Sequence, residues 1–298
     1  MIVNPIKTTV HKGKKENLTS DIIIYRSIPN RYTQAIGSMV FLDHLVEQSY
    51  DAKTPEMPDG SFAHPHRGIA TFSYLLEGGV HHIDSAGGEG AVYAGGIQWM
   101  KAGNGIIHDE FFPYDFQKTG GTLHALQFWL NLPAKNKAEQ PEYIAVQSDE
   151  IPEIQLPNQK GKLKVLLGDF EGAKSNIPNY LEQFMYHIRL NAKETIELPV
   201  NEEWQYGVYI VKGSATINDT AQLNEIEVAE LSDLGKSIHI ENTEDSRLDI
   251  MVFGGEPYTE PMVPYGPFIM NTRDEISKAY VDHQKGKYGQ IDYSKVEL

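Results

Sequence analysis

The sequence predicts an all-β protein with two β-barrel or sandwich domains and a short helix near its C-terminus. Apolar segments of strand length recur along the 298 residues, separated by turns that contain glycine or proline. The composition agrees, because the chain has 26 Gly, 16 Pro and 16 Tyr and is 40% hydrophobic. Many short strands with tight turns are typical of sandwiches and barrels, and this length suffices for two domains.

The first half of the chain holds seven predicted strands, at residues 21–25, 38–42, 69–76, 80–83, 91–93, 97–100 and 123–130. Glycine-containing turns at 77–79 and 84–90 follow two of them. A polar stretch from Pro133 to Pro157, interrupted by further prolines, predicts a linker with one strand at 143–146. We therefore predict one domain over residues 1–135 and a second over 136–298.

The second half has predicted strands at 163–167, 184–190, 207–211, 214–217, 238–241 and 248–253, and a helix at 272–284. In that helix Ile276, Ala279 and Tyr280 share one face. A faint internal repeat relates the halves, since residues 74–79 resemble residues 209–214 in pattern. This offset of 135 residues predicts a duplicated β-barrel.

Charge and hydropathy exclude several classes of function. The net charge is −15, and binding to a phosphate backbone needs basic surface, so we expect no direct nucleic-acid partner. The cationic cluster at 7–15 is interpreted as a solvated edge or turn. No apolar run of about 18 residues predicts a membrane span, and the first residues do not resemble a signal peptide. Together with the absence of cysteine, this predicts a cytoplasmic protein.

Two short pairs, His64-Pro-His66 and His108-Asp-Glu110, carry the strongest functional signal. Each pair has the spacing i, i+2, which places both side chains on the same face of a β-strand. Three imidazoles and one carboxylate that converge would bind one divalent transition metal, such as Fe(II), Mn, Ni, Cu or Zn. The alternative is that these residues make ordinary hydrogen bonds within strands.

Strand parity also predicts the walls of a pocket around this metal. It places Phe62 on the face of His64 and His66, and Phe112 on the face of His108 and Glu110. The alternative interpretation is that both rings are only core aromatics.

The other histidines are weaker candidates for metal ligands, and most are expected to be satisfied core or surface residues: His44, His81, His82, His124 and His239. The offset of the repeat carries His64 and His66 to Pro199 and Asn201, so we expect the second barrel to bind no metal. Arg67 follows the first pair and points away from it by parity, which favours a structural ion pair.

Six motifs in this order resemble the pirin family of cupins: His-Pro-His-Arg-Gly at 64–68, Tyr-Leu-Leu-Glu-Gly-Gly at 74–79, Gln-Trp-Met at 98–100, Ala-Gly-Asn-Gly-Ile-Ile-His-Asp-Glu at 102–110, Gly-Gly-Glu-Pro at 254–257 and Gly-Pro-Phe-Ile-Met-Asn at 266–271. The resemblance covers most of the chain. It implies a bicupin of two jelly-roll barrels, with a metal in the N-terminal barrel and usually none in the C-terminal one. It also implies that His64, His66, His108 and Glu110 bind the metal, commonly iron.

The resemblance to pirins implies two activities. One is quercetin dioxygenase activity, in which a flavonol ring is opened with O2 and carbon monoxide is lost. The other is iron- or redox-dependent regulation of a protein partner, as in transcription cofactors of animals. A third hypothesis is a cupin enzyme that acts on another small molecule. For the dioxygenase we expect Glu110 to act also as the base, and we expect a monomer.

The sequence departs from the family pattern at two positions. Ala70 stands where pirins typically have an acidic residue, and Asn104 stands where they favour arginine. The four expected ligands are unaffected. Groups outside the ligand set orient the ligands and tune the metal, so these departures bear on substrate and rate.

Overall fold

The computed structural model describes residues 7–19, 22–232 and 235–296. The first strands are β1 Lys7–Lys12, β2 Lys14–Asn17, β3 Ile23–Ile28, β4 Met39–Tyr50, β5 His64–His66, β6 Ile69–Glu77, β7 Gly79–Asp84, β8 Glu89–Tyr93, β9 Ile97–Lys101, β10 Ile106–Phe111, β11 Gly121–Asn131, β12 Glu142–Val146 and β13 Glu153–Gln155. The predicted strand at 21–25 corresponds to β3, and its first residue, Asp21, lies outside the described residues.

The later strands are β14 Gly161–Leu167, β15 Asp169–Phe170, β16 Ala173–Lys174, β17 Gln183–Leu190, β18 Thr195–Pro199, β19 Gln205–Lys212, β20 Ser214–Ile217, β21 Ala221–Asn224, β22 Glu227–Ser232, β23 Ser237–Asn242, β24 Leu248–Gly255, β25 Val263–Tyr265 and β26 Phe268–Met270. Helix α1 is Tyr114–Thr119 and helix α2 is Arg273–Gln284. The all-β prediction with a short C-terminal helix is confirmed.

The chain divides into two compact units, and each unit is built from three segments that are not contiguous in the sequence. Unit 1 comprises Met1–Glu16, Tyr25–Leu42 and Ile151–Tyr258. Unit 2 comprises Asn17–Ile24, Asp43–Glu150 and Thr259–Leu298. This division by compactness differs from the predicted contiguous domains, residues 1–135 and 136–298. The boundary at residue 135 stays a prediction.

Unit 1 contains a seven-stranded sheet in the order β1-β22-β19-β24-β17-β14-β13 and a four-stranded sheet in the order β18-β23-β20-β21. Strand β23 alternates between buried and half-buried residues, as expected for a strand that covers a core with one face. Strand β24 is buried throughout. The core between these strands is aliphatic and aromatic.

Two further sheets, which take most of their strands from unit 2, have an equivalent strand order. One runs β12-β9-β6-β11-β4-β3-β2 and the other β5-β10-β7-β8. The repeated motif falls on equivalent strands: Tyr74 is buried on β6 and Tyr209 is buried on β19. Each strand is followed by a glycine with positive φ, Gly78 and Gly213. The matching order of strands supports the duplication predicted from the sequence.

The C-terminal segment of unit 2 includes the predicted helix, which is confirmed. In α2 the Thr272 side chain accepts a hydrogen bond from the Glu275 backbone N–H, and the Glu275 carboxylate accepts one from the Thr272 backbone N–H, which forms a capping box. Ile276 and Ala279 are buried against Phe268. Full burial of a phenylalanine side chain contributes about 2–3 kcal/mol, so this packing holds the segment within unit 2.

Gly68 lies where the C-terminal segment passes closest to the start of β6. Its φ is +81°, and a Cβ there would lie 2.1 Å from the Ile269 carbonyl oxygen. The Ile269 N–H donates to the Arg67 carbonyl next to it. Only glycine fits this close approach, which explains the glycine in the His-Pro-His-Arg-Gly motif.

A buried ion pair joins Arg67 to helix α2, as predicted for a structural role. Arg67 Nη1 lies 2.9 Å from Asp282 Oδ2, and both residues are buried. Lys278 and Lys287 also contact the Asp282 carboxylate from the solvent side, at 2.5 and 2.7 Å. These three cations hold the pKa of Asp282 well below its usual range.

The substitution Asp282→Asn is expected to lower the free energy of unfolding by about 3 kcal/mol, because it leaves the buried Arg67 charge unpaired. We take the lower end of the usual range because two exposed lysines border the pair. Since the native pKa of Asp282 is depressed, the stabilisation is complete above the unfolded pKa of about 3.9 and is lost at lower pH. The difference between wild type and variant should therefore be constant from pH 8 to 5 in urea unfolding and should shrink below about pH 4.

The control for this prediction is Asp245→Asn, which removes the exposed partner of Lys193. Surface pairs contribute about 0–1 kcal/mol, so this variant should unfold as wild type does. Equal stability of the Asp282 and Asp245 variants would show that the Arg67 pair does not hold α2 in place.

Neither helix in the described part of the chain is long and apolar enough to cross a membrane.

Candidate metal centre

The two histidine-containing pairs lie on neighbouring antiparallel strands of unit 2. His64 of β5 stands directly opposite His108 of β10, and their Nε2 atoms are 3.0 Å apart. His66 lies on the same face of β5. One nitrogen from each of the three imidazoles falls in a group whose atoms all lie within 4.8 Å of one another. Strand pairing therefore brings three of the four predicted ligands together.

The outer nitrogen of each imidazole has its own partner. His64 Nδ1 is 2.7 Å from the carbonyl oxygen of Phe62, and His66 Nδ1 is 3.2 Å from that of Pro267. His108 Nδ1 is 3.3 Å from Nδ1 of His82. A carbonyl oxygen only accepts, so His64 and His66 donate from Nδ1 and keep a lone pair on Nε2. This directs the Nε2 lone pairs of His64 and His66 into the group, beside Nε2 of His108, which lies 3.0 Å from that of His64.

Burial keeps the imidazoles of His66 and His108 neutral. Desolvation, with a smaller effect of neighbouring His64, lowers the pKa of His66 to about 3. The pKa of His108 is also well below its usual value, first because of burial and then because of the other imidazoles. Metal binding needs neutral imidazole. Three nitrogen donors, two on buried imidazoles and the third on the exposed His64, therefore fit a divalent transition metal such as iron, nickel, copper or zinc.

Glu110, the fourth predicted ligand, is not part of this group of three in the structure. Its carboxylate accepts a hydrogen bond from the side-chain amide of Gln98 on β9. Burial raises the pKa of Glu110 to about 7, although hydrogen bonds from Gln98 and Gln127 oppose this rise. A carboxyl group with this pKa can exchange a proton near neutral pH.

The two predicted pocket residues lie outside the strands, so the parity argument does not apply to them. Strand β5 begins at His64, and Phe62 lies in the preceding turn with 49% of its surface exposed. Phe112 follows the end of β10, and its ring packs against Tyr50 and Phe116 at centroid distances of 4.7 and 4.9 Å. Their role as pocket walls stays a prediction.

Further polar residues that the spacing of the ligand pairs does not predict connect to the site by hydrogen bonds: His82, Asp84, Gln98, Gln127 and Tyr143. The His82 ring stacks on that of Tyr143 at 4.0 Å. His82 and Asp84 have the same i, i+2 spacing as the ligand pairs, so strand parity could have identified them. Gln98 and Gln127 stand out as amides with apolar neighbours on the C-terminal side in β9 and β11.

The remaining histidines lie in other surroundings. His44 and His124 form a buried pair with their Nε2 atoms 2.6 Å apart. His81 stacks on Phe111. In unit 1 the His239 imidazole contacts Asp219 in an exposed position.

The strands of unit 1 equivalent to β5 and β10 are β18 and β23. The buried residues that they pair across the sheet are Leu198, Ile238 and Ile240. Pro199, which the repeat aligns with His64, ends β18. Apolar side chains fill this part of the unit 1 core, and that a metal is absent from it stays a prediction.

Sequence comparison agrees with this architecture. Residues 22–130 match the family profile described as pirin, and residues 185–289 match the one described as the pirin C-terminal cupin domain. Pirin of Homo sapiens is 35% identical over 236 residues, which cover 78% of this chain and 79% of that protein. The chain belongs to the pirin family. The predicted two-domain cupin fold is thereby confirmed.

Two solved structures show the same fold. The crystal structure of quercetin 2,3-dioxygenase from Acinetobacter baumannii matches with a TM-score of 0.89 at 30% identity, covering 96% of this chain and 99% of that one. A bacterial pirin from Escherichia coli in complex with nickel(II) matches with a TM-score of 0.64 at 21% identity, covering 85% of this chain and 100% of that one.

Both departures from the pirin pattern have a structural context. Asn104 accepts a hydrogen bond from Arg67 Nη2 at 2.7 Å and so extends the ion pair to α2. Ala70 is buried on β6 and pairs across strands with Lys101. The Lys101 amine contacts Glu139 and Glu142 at 2.9 and 3.3 Å.

Proposed function

We propose that this pirin-family protein is a metal-dependent dioxygenase that opens the ring of a flavonol such as quercetin with O2 and releases carbon monoxide. The observation that carries the proposal is the convergence of three imidazoles, with Glu110 two residues beyond His108 on the same strand. The likeness to the Acinetobacter quercetin 2,3-dioxygenase supports the choice of substrate class.

The proposed cofactor is one divalent transition metal held by His64, His66 and His108, with Glu110 as a fourth ligand. Fe(II) is our first choice because of the family, and the nickel(II) complex of the Escherichia coli pirin supports nickel as an alternative. The affinity of nitrogen sites rises toward Cu(II), so Cu, like Mn and Zn, is a competitor for this site. When bound, the metal supplies the Lewis acidity for the flavonol 3-hydroxyl and the redox chemistry with O2.

Glu110 is proposed to accept the proton of the flavonol 3-hydroxyl. Its raised pKa matches this task near neutral pH, and the Gln98 amide holds the accepting carboxylate in place. The exposed ring of Phe62, whose carbonyl binds His64, is proposed to contact the planar substrate. The cytoplasmic location, the monomeric state and a protein partner stay predictions.

The proposal is tested with protein stripped of metal and reloaded with Fe(II) or Ni(II) to a series of occupancies. Oxygen uptake and release of carbon monoxide with quercetin should rise in proportion to occupancy, because each filled triad makes one active site. Metal content is measured on the same samples by mass spectrometry.

Two other outcomes would favour the alternative functions. Full occupancy with no oxygen uptake on quercetin but uptake with another small molecule would indicate a different substrate of the same site. Full occupancy without turnover of any substrate would indicate a binding or regulatory protein that senses metal or redox state. Either result would overturn the flavonol dioxygenase proposal.

A further inference from the structure

A second layer of side chains lies behind His108, and it begins at Asp84 on β7. The Oδ1 atom of Asp84 accepts the backbone N–H groups of Ala86 and Gly88, at 2.8 and 2.9 Å. Its Oδ2 atom lies 2.9 Å from Nε2 of His82. A Cβ at position 88 would lie 2.2 Å from this oxygen, so the glycine leaves room for the carboxylate. The orientation of Asp84 is therefore fixed by the backbone.

The position of the hydrogen on each imidazole follows from this anchor. A carboxylate only accepts, so the hydrogen of His82 is on Nε2 and its lone pair is on Nδ1. The His82 ring is fully buried and stacked on Tyr143, which holds it in this plane. Nδ1 of His108, 3.3 Å away, then donates to Nδ1 of His82. His108 consequently keeps its lone pair on Nε2, the atom that faces His64.

We propose that His82 and Asp84 are positioning residues that fix the tautomer of His108 and so make its Nε2 atom available to the metal. His64 and His66 need no such help, because main-chain carbonyls hold their Nδ1 hydrogens. His108 alone is held by a side chain that can either donate or accept. The proposal rests on the proposed function only in that His108 binds a metal.

The substitution Asp84→Asn tests this directly. The amide oxygen of asparagine can still accept the N–H groups of Ala86 and Gly88, but its NH2 group then faces His82 and donates to it. The hydrogen of His82 moves from Nε2 to Nδ1, and the Nδ1–H group then donates to Nδ1 of His108. The hydrogen of His108 therefore moves from Nδ1 to Nε2. No imidazole changes its charge, yet His108 loses the lone pair that binds metal.

We expect Asp84→Asn to weaken binding of Zn²⁺ and Ni²⁺ by about 10–100-fold, the usual effect of losing an outer partner of a ligand. Affinities are measured by competition with a chromophoric chelator. Nitrogen-15 NMR of the metal-free protein, labelled at histidine, should show His108 protonated on Nδ1 in wild type and on Nε2 in the variant.

A second variant, His82→Phe, keeps Asp84 and the stacking on Tyr143 but removes the acceptor for His108. It should bind Zn²⁺ about tenfold more weakly than wild type, a smaller loss than in Asp84→Asn. The reason is that the tautomer of His108 is no longer fixed in the His82 variant, whereas it is the wrong one in Asp84→Asn. The matched control is Asp249→Asn, since Asp249 contacts buried His187 at 3.2 Å in unit 1. This control should bind Zn²⁺ as wild type does.

The outcomes separate this proposal from the proposed function. Wild-type affinity in both the Asp84 and His82 variants, or an unchanged His108 tautomer in a folded Asp84→Asn protein, would overturn the positioning role. Failure of wild type itself to bind metal would instead overturn the proposed function, while the NMR comparison would still decide the tautomer. If Asp84→Asn does not fold, the Zn²⁺ affinity of His82→Phe decides the proposal.

Discussion

Replacing His108 with alanine is expected to abolish stoichiometric binding of a divalent metal. His108 stands between the other parts of the site, because its Nε2 atom faces His64 and its ring lies beside that of His66. Without it two imidazoles and Glu110 remain, but the Gln98 amide holds the Glu110 carboxylate outside the group of imidazoles, so these donors do not converge as a three-ligand set. Metal content after dialysis and reloading should fall from one ion per chain to almost none.

The control is His239→Ala, which removes a half-buried imidazole of unit 1 that also belongs to a His-x-Glu sequence. It should retain the wild-type metal content. The double variant with His64→Ala and His108→Ala gives the strictest test. Full occupancy in this double variant would mean that the metal binds elsewhere and that the triad is not the site.

Replacing Glu110 with glutamine is expected to reduce turnover of quercetin by about 10²–10⁴-fold at full metal occupancy, the usual contribution of a general base. An amide cannot accept the 3-hydroxyl proton at neutral pH, whereas the carboxylate of a glutamate can. Steady-state rates are measured at saturating metal, with occupancy determined on the same samples. The three imidazoles should still hold the ion in this variant.

This variant also distinguishes a base from a simple ligand. If Glu110 only binds the metal, affinity and activity should fall together, and excess metal should restore the wild-type rate. That recovery would refute the role as base. Glu77→Gln, which changes an exposed glutamate at the end of β6, should leave both quantities unchanged.

The strands and turns of the fold could be predicted from local sequence patterns, because their formation depends largely on residues that are close in the sequence. Alternation, short apolar runs and glycine turns place most of the strands within a few residues, and the repeat at Tyr74 and Tyr209 falls on equivalent strands. Helix α1 follows no such signal in its six residues. The non-contiguous composition of the two units was also not predictable, because the unit that a segment joins depends on contacts between residues distant in the sequence.

The candidate ligand residues of the site can be identified from the amino-acid sequence alone. The i, i+2 spacing and the period of a β-strand align His64 with His66 on one face, and the motif places His108 in the same domain. Strand parity also aligns His82 with Asp84, but spacing alone does not show that they support His108. The support of His108 by His82 became evident only from the pairing of β10 with both β5 and β7.

The orientation of these side chains depends on contacts that form only in the folded chain. The partner of His66 is the Pro267 carbonyl, 201 residues away in sequence, and no local pattern encodes a contact at that distance. Glu110 is held by amides from other strands and lies outside the group of three imidazoles. Sequence spacing sets which face a side chain occupies, but hydrogen bonds and burial from distant segments set its tautomer and its pKa.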